Sequence, residues 1–261
     1  MRSLSIAATG MLAQQMNVEV ISNNIANMNT TSYKRQRVEF QDLLYQDLRR
    51  VGSNSSDTGT IVPSGLQMGV GVRAASVYRI SSQGALTLTD NRLDLAIKGD
   101  GFFNVLLPNG QTAYTRAGSF QLSPTGQIVT QDGYTVQPGV TIPANTIDIS
   151  INPSGQVVAK IDAVVAPTTL GPLSITNFPN VGGLQSIGNN LLLQTPASGA
   201  PVTGIPGAVG FGTIQQGFLE ASNVNSVTEI TNLITAQRAY ELNSKVIQSA
   251  DQMLNTVNQL R

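Results

Sequence analysis

The beginning of the chain carries apolar side chains at the spacing of a coiled-coil helix. One line of seven-residue steps starts at Leu4, and a second line starts three residues later at Ala7. Alternating steps of three and four place such residues on one face of an α-helix, and that face needs a partner to cover it. The predicted seam of this N-terminal helix consists of Leu4, Met11, Val18, Ile21, Ile25 and Met28.

The end of the chain repeats this pattern. Lines of seven-residue steps run along the last part of the sequence, and Ser226-Val-Thr-Glu229 precedes them. A hydroxyl followed three residues later by a carboxylate predicts a capping box, in which each side chain satisfies a backbone N–H at the helix start. The predicted seam of this C-terminal helix consists of Leu233, Tyr240, Val246, Ile247, Met253, Leu254 and Val257.

Two apolar strips at opposite ends of one chain predict that the two helices pair as an antiparallel coiled coil. The apolar face of the C-terminal helix spans neighbouring heptad lines and is wider than one partner covers. We therefore expect helices from other copies of the chain to complete it. The alternative is that both helices pack on the protein's own β-domain.

Four asparagines lie where the N-terminal helix is predicted to end. Asparagine disfavours helix interiors but tolerates the left-handed conformation and caps free carbonyls, so the cluster predicts the helix end. Side-chain amides on neighbouring faces are also suited to bridging other backbones in a packed assembly. We predict inter-subunit polar contacts at Asn23, Asn24, Asn27 and Asn29, with a solvated, frayed helix end as the alternative.

Between the helices, short alternating runs are separated by turn residues. The run FFNVLL, then Pro108-Asn109-Gly110, then QTAYTR predicts a β-hairpin, because Asn-Gly suits a type I′ turn. The predicted fold class is α+β, with paired N- and C-terminal helices and a central antiparallel β-domain. The predicted parts are residues 1–44 (N-terminal helical part), 45–71 (extended connector), 72–216 (β-rich domain) and 217–261 (C-terminal helix).

The composition removes several classes of function. The chain has no Cys and no His, which excludes disulfides, thiolate metal sites and imidazole chemistry. Its 15 basic and 15 acidic residues cancel, so it has no charge footprint for nucleic acid. We expect no enzymatic activity, no cofactor, no metal and no small-molecule substrate.

Two alternative hypotheses about function rest on weaker sequence patterns. Asp90 and Asp94 are close enough in sequence to suggest the carboxylate pair of a carbohydrate-active enzyme, although both also suit turns. The segment from Ala163 to Leu219 has no charged residue, so an adhesin-like module binding through this face is a third hypothesis.

The N-terminus does not have the pattern of a cleaved signal peptide. Gln14 and Gln15 interrupt its apolar run before the length of a signal core is reached. No stretch approaches the roughly 20 apolar residues of a spanning helix. If the protein acts outside the cytoplasm, we expect export by a route that needs no cleaved signal.

Several segments resemble one known family. The segment SNNIANMNTTSYK from Ser22 resembles the N-terminal signature of the bacterial flagellar rod and hook proteins. LDLAIKGDGFF from Leu93, YTRAGSF from Tyr114, and SNVNSV with AQRAYELNSK near the end are similar to later signatures of the same family. Within it, VPSGLQMGVGVRAAS and GFLEASNVN are most similar to subunits of the distal rod, with a proximal rod or hook-type subunit as the alternative.

This resemblance implies a structural subunit of a helical polymer. It implies an inner layer of paired terminal helices, an outer β-domain, and a connector that lies between neighbouring subunits. It places the protein in the basal body, spanning the periplasm, after export through the flagellum's own channel. The implied partners are further copies of the chain, proximal rod subunits, the hook protein and the surrounding ring proteins.

Overall fold

The computed structural model describes residues 2–49, 64–162 and 166–259. Two long helices stand near the ends, α1 (Arg2–Ala26) and α2 (Ser226–Gln259), and a short 3-10 helix lies at Val181–Gly183. The strands are β1 (Gln36–Asp42), β2 (Tyr45–Arg49), β3 (Leu66–Gly69), β4 (Val72–Arg79), β5 (Leu86–Leu88), β6 (Leu95–Lys98), β7 (Phe102–Leu106), β8 (Thr112–Thr115), β9 (Gln121–Leu122), β10 (Ile128–Val129), β11 (Thr135–Val136), β12 (Thr146–Ile151), β13 (Gln156–Ile161), β14 (Thr168–Pro172), β15 (Ile175–Asn177), β16 (Gln185–Gly188), β17 (Leu191–Leu193), β18 (Val202–Gly204), β19 (Thr213–Gln216) and β20 (Phe218–Glu220).

These elements form two compact units. The helical unit consists of Met1–Ala26, Gln36–Arg79 and Asn225–Arg261, and the β-rich unit consists of Asn27–Arg35 and Ile80–Val224. The expected combination of terminal helices with a β-rich central region is therefore confirmed.

In the helical unit, α1 and α2 pack together. Strand β1 pairs antiparallel with β4, from Gln36 opposite Arg79 to Asp42 opposite Val72. Strand β2 pairs antiparallel with β3, so parts of the predicted connector 45–71 form an extended two-stranded ribbon. The middle of that connector, residues 50–63, lies outside the described residues.

The ends of both helices follow from local side chains. Helix α1 ends at Ala26, directly before Asn27, whose carbonyl accepts a hydrogen bond from Thr30 N at 3.2 Å. Helix α2 is capped by Asn225, whose Oδ1 accepts hydrogen bonds from the backbone N–H groups of Val227 (3.0 Å) and Thr228 (3.2 Å). The predicted N-cap, Ser226, is therefore wrong by one residue: the cap is Asn225, and an asparagine side chain caps a helix as well as a serine does.

In the β-rich unit, all described strand pairs are antiparallel. The largest sheet has the order β16-β17-β8-β7-β11-β10-β9, and β15 pairs with both β7 and β18. A separate three-stranded sheet has the order β12-β13-β14, while β6 pairs with β19 and β5 with β20. The core contains Leu95, Ile97, Phe103, Phe120 and Ile128, with the Phe103 and Phe120 rings edge to face at 5.1 Å.

The predicted hairpin at Pro108-Asn109-Gly110 joins β7 to β8. Its turn differs from the type I′ prediction, which requires positive φ at both Asn109 and Gly110. Gly110 has φ 81°, but the non-glycine residues with positive φ in the described part of the chain are Ser32, Asn189 and Asn190. The side chain of Asn109 instead accepts a hydrogen bond from Gln111 N at 3.0 Å.

Candidate self-association surface on the terminal helices

The most buried residues of α2 have small or polar side chains and lie along one side of the helix. Glu229, Ala236 and Ala250 are each at most 4% exposed and lie at multiples of seven residues. On the other helix the buried residues are Ala7, Ala13, Ile21 and Asn24. A Cβ built on Gly10 of α1 would come within 2.9 Å of Nδ2 of Asn243, which continues the same line of α2. Small residues therefore let the two helices approach closely.

The Asn24 side chain connects three elements of the helical unit. Its Oδ1 accepts a hydrogen bond from Gln36 N at 2.9 Å, and its Nδ2 donates to Gln36 O at 2.9 Å. Nδ2 also contacts Oε2 of Glu229 at 3.2 Å. Asn24 is 1% exposed and Glu229 is 2% exposed. The amide thus joins the end of α1 to the start of β1 and to the first turn of α2 within one chain.

The other predicted polar residues lie in different surroundings. Asn23 is exposed on α1, and Asn29 is exposed beyond its end. Asn27 belongs to the β-rich unit, where its Oδ1 accepts a hydrogen bond from Thr30 Oγ1 at 3.1 Å. The four asparagines are therefore distributed between a buried connection, a turn and two exposed positions.

The predicted seam of α1 lies largely on its covered side. Ile21 is buried, and a set of four residues is half-buried, namely Leu4, Met11, Val18 and Ile25. Met28 lies beyond Ala26, the last residue of α1, and is 40% exposed. Helix α1 therefore carries every predicted position of this seam except Met28.

The predicted seam of α2 is more exposed. Leu233 and Ile247 are half-buried, whereas four residues remain exposed, namely Tyr240, Val246, Met253 and Leu254. The side chain of Val257 lies outside the described residues. One copy of α1 therefore leaves much of the predicted apolar face of α2 uncovered.

Further large apolar side chains of both helices face solvent, and the heptad analysis did not single them out. They are Ile6, Leu12, Met16, Val227, Ile230, Ile234 and Leu242. Leu12 is 67% exposed and Leu242 is 62% exposed. A helical-wheel count of all apolar positions would have found them, since they lie outside the two main lines. Together with the exposed predicted residues they define the uncovered helix surface.

The acidic pair considered for carbohydrate chemistry is part of a turn. The carboxylate of Asp94 accepts hydrogen bonds from Thr89 Oγ1 at 2.7 Å and from Asn91 Nδ2 at 2.9 Å. Asp94 is 6% exposed, while Asp90, four residues earlier, is exposed. These bonds give the Asp94 carboxylate a structural role in holding its own loop.

Other candidate chemistry is sparse. Among the described residues there is no group of three acidic side chains arranged to hold a metal ion. Neither described helix combines the length and apolarity needed to span a bilayer. The uncharged segment considered as an adhesive face begins with Ala163, outside the described residues, and its described part supplies strands β14 to β19 and the start of β20.

Three family profiles match successive parts of the chain. Residues 4–34 match "Flagella basal body rod protein". Residues 96–159 match "Flagellar hook protein FlgE/F/G D1 domain", and residues 215–260 match "Flagellar basal body rod FlgEFG protein C-terminal". The matches cover both terminal helices and part of the β-rich unit.

Curated relatives are similar over the whole chain. A protein named "Flagellar basal-body rod protein FlgG" from Caulobacter vibrioides is 61% identical over 261 residues, covering 100% of both chains. Proteins of the same name from Agrobacterium fabrum and Bacillus subtilis are 53% and 38% identical, covering 99% and 100% of this chain and 98% and 99% of theirs. The chain therefore belongs to the flagellar basal-body rod protein family, whose members are structural components and not enzymes.

Proposed function

We propose that the chain is a structural subunit of the distal rod of the flagellar basal body. In this proposal it associates with further copies through its terminal helices, forms a helical tubular polymer and transmits torque to the hook. The printed names of its relatives support a rod subunit. The distal position rests on the resemblance of VPSGLQMGVGVRAAS and GFLEASNVN to distal rod subunits.

The uncovered helix surface is the observation that carries the proposal. Leu12 is 67% exposed, Leu242 is 62% exposed and Met253 is 63% exposed, although each lies on a long helix already paired with another. A concentration of large exposed apolar side chains on two paired helices is typical of a protein interaction site. Covering it removes apolar area from water, which favours association by roughly 25 cal/mol per Å² before ordering costs are subtracted.

We further propose that α1 and α2 pair as an antiparallel coiled coil. Asn24 contacts Glu229 near the end of α1, and Gly10 approaches Asn243 nearer its beginning. Lower numbers on α1 therefore correspond to higher numbers on α2, as an antiparallel pair requires. A coiled-coil repeat is supported by the seven-residue steps from Glu229 through Ala236 and Asn243 to Ala250.

The remaining assignments extend this proposal. The predicted parts 1–44 and 217–261 carry the assembly helices α1 and α2, 45–71 is the connector, and 72–216 carries most of the β-rich unit. Of the four predicted asparagines, Asn23, Asn27 and Asn29 supply polar contacts between copies, whereas the buried side chain of Asn24 acts within one chain. The partners are further copies, proximal rod subunits, the hook protein and the surrounding ring proteins. The rod spans the periplasm, and its subunits are exported without a cleaved signal.

A charge placed on the uncovered helix surface tests the proposed self-association. We expect Val246→Asp combined with Met253→Asp to prevent polymer formation, because burial of an unpaired carboxylate between copies is strongly unfavourable. Both positions are exposed in the single chain, so the fold of one copy should tolerate the changes. Polymer is measured by sedimentation and electron microscopy over a range of protein concentrations.

The matched control combines Ile147→Asp and Val202→Asp, which place the same two charges at 59% and 54% exposed positions on β12 and β18. It is expected to polymerise as the wild type does. Normal polymers from Val246→Asp combined with Met253→Asp would show that the uncovered helix surface is not the assembly surface. The absence of polymer from the wild type at any concentration would count against the proposed function itself.

A further inference from the structure

A buried ion cluster lies in the β-rich unit, and self-association through the helices does not account for it. It consists of Lys34, Arg116 and Glu220, hereafter the Glu220 cluster. Lys34 Nζ lies 2.5 Å from Oε1 of Glu220, and Arg116 Nε lies 2.7 Å from Oε2. The side chains of Lys34, Arg116 and Glu220 are 14%, 9% and 0% exposed, respectively. Two cations thus share one fully buried carboxylate.

Backbone groups complete the coordination of the cluster. The guanidinium of Arg116 donates to the carbonyls of Gly101 at 3.0 Å, Ile97 at 3.2 Å and Gly99 at 2.5 Å. Oε1 of Glu220 also accepts a hydrogen bond from Gly84 N at 2.9 Å. Gly84 lies so close to the backbone carbonyl of Ala221 that a Cβ there would overlap it.

The cluster brings together signature segments that are far apart in the sequence. Lys34 ends the segment SNNIANMNTTSYK, and Arg116 lies in YTRAGSF. The carbonyls bound by Arg116 belong to LDLAIKGDGFF, and Glu220 belongs to GFLEASNVN. The resemblance to flagellar rod and hook proteins rests on these segments, and in the structure all four of them contribute groups to the Glu220 cluster.

Two of the joined segments lead directly to the terminal helices. Residues 27–35 follow α1, and residues 221–225 separate Glu220 from the start of α2. Ser32 fastens the first segment, because its N–H donates to Glu220 O at 2.8 Å and its Oγ donates to Arg116 O at 2.9 Å.

Asn223 joins the same two segments a second time. Its Oδ1 accepts a hydrogen bond from Arg35 N at 2.6 Å, and its backbone N–H donates to Tyr33 O at 3.3 Å. Its Nδ2 donates to the carbonyls of Ile80 at 2.9 Å and Ser82 at 3.0 Å. The segment that follows α1 and the segment that precedes α2 are thus bound to each other and to the loop 80–84 within one copy.

We infer that Lys34, Arg116 and Glu220 are positioning residues for assembly. The cluster fixes the chain leaving α1 and the chain leading to α2 at one place on the β-rich unit. Each copy therefore holds the segment that follows α1 and the segment that precedes α2 at the same pair of anchor points when copies associate. Arg116 and Glu220 balance each other in charge, and Lys34 adds the connection to residues 27–35.

The variant Lys34→Met tests this inference in the full-length chain. It removes the ion pair between residues 27–35 and Glu220, while the hydrogen bonds of Ser32 and Asn223 stay in place. It also leaves the Glu220–Arg116 pair with balanced charge, so the β-rich unit should remain folded. We expect amide hydrogen exchange in residues 27–35 to become about tenfold faster or more, because loss of the anchor favours local opening. The rate of polymer formation should fall by about tenfold or more, since fewer copies present the anchored segment.

Two further variants separate positioning from general stability. Lys34→Arg retains a cation that can reach Glu220 and should restore both readouts. Lys160→Met makes the same substitution at an exposed position on β13 and should change neither. Unchanged exchange in Lys34→Met would overturn the anchoring, and faster exchange with normal polymer formation would overturn the role in assembly.

The effect of the Glu220 cluster on assembly rests on the proposed self-association, and different results would contradict the two proposals. If the wild type itself forms no polymer, the proposed function fails. The hydrogen-exchange comparison between wild type, Lys34→Met and Lys34→Arg then still decides whether the cluster anchors residues 27–35.

Discussion

At the scale of single residues, Glu220 shows how two cations keep a buried carboxylate charged. Burial by itself raises the pKa of this carboxyl group, but the charges and hydrogen bonds of Arg116 and Lys34 outweigh it. The pKa of Glu220 therefore lies below its ordinary value of 4.5. Burial has the larger effect on Lys34, whose pKa is lowered although Glu220 favours its charged form. One carboxylate thus pairs with two cations, and both ion pairs depend on its being ionised.

The lowered pKa of Glu220 predicts a loss of stability in acid. A carboxyl group with a lower pKa in the folded state contributes stability above its unfolded pKa. That contribution is lost as the pH falls below 4.5 and through the folded pKa. Removing the carboxylate leaves two buried cations without a counter-ion, so Glu220→Gln should cost about 3–5 kcal/mol at pH 7. We expect this difference from wild type to shrink steadily as the pH falls below 4.5.

Urea unfolding at a series of pH values, followed by near-ultraviolet circular dichroism, measures this difference. Glu241→Gln provides the control, because it makes the same substitution at an exposed position of α2. Its difference from wild type should stay near zero throughout. A difference for Glu220→Gln that is equal at neutral and acidic pH would contradict the assigned role of its charge.

The sequence motifs contain the residues of the Glu220 cluster but do not show which residues contact each other. Arg116 and Glu220 lie in recognised segments, but they are 104 positions apart, and Lys34 is 186 positions from Glu220. Local patterns report on neighbours three, four or seven positions away, so they carry no signal for such pairs. Asn24 was singled out for polar contacts, but its partners at Gln36 and Glu229 depended on the fold.

At the scale of elements, heptad spacing predicted the two helices well and their contact line less well. The termination of α1 at the asparagine cluster and the existence of α2 follow from local signals. Within one copy the most buried apolar residues of α2 are Ala236 and Ala250, while large ones such as Met253 remain exposed. A wide apolar face does not specify which line one partner covers, and small residues permit the closer approach.

The connection between α1, β1 and α2 predicts a specific loss in Asn24→Ala. The change removes three hydrogen bonds and leaves buried groups of Gln36 and Glu229 without this partner. A destabilisation of about 2 kcal/mol is expected for such a buried polar site. Hydrogen exchange should accelerate at the end of α1 and in the first turn of α2 while the β-rich unit stays protected.

Asn255→Ala is the matched control for this prediction, because Asn255 is exposed near the end of α2. It should leave exchange at Asn24 and Glu229 unchanged. Equal protection of both helix ends in Asn24→Ala and wild type would mean that apolar packing alone holds these elements together.

At the scale of the whole molecule, the charge distribution favours association between identical copies. The 15 basic and 15 acidic residues give a formal net charge of zero, so copies are not held apart by net repulsion. Arg2 and Glu19 are the charged residues of α1. The uncovered helix surface is defined by apolar side chains such as Leu12 and Leu242. Association through this surface should therefore depend on removal of apolar area from water more than on ion pairs.

The dominance of apolar burial over ion pairs predicts a weak response to sodium chloride and a strong response to sodium sulfate. Sodium chloride screens ion pairs, and raising it from about 0.05 M to about 0.3 M should change the critical concentration for polymerisation less than about twofold. Sodium sulfate is excluded from protein surfaces and strengthens apolar burial, so about 0.5 M should lower the critical concentration by roughly tenfold. Sedimentation of polymer from a dilution series measures both. A critical concentration that rises steeply with chloride would instead assign the assembly contacts to charged side chains.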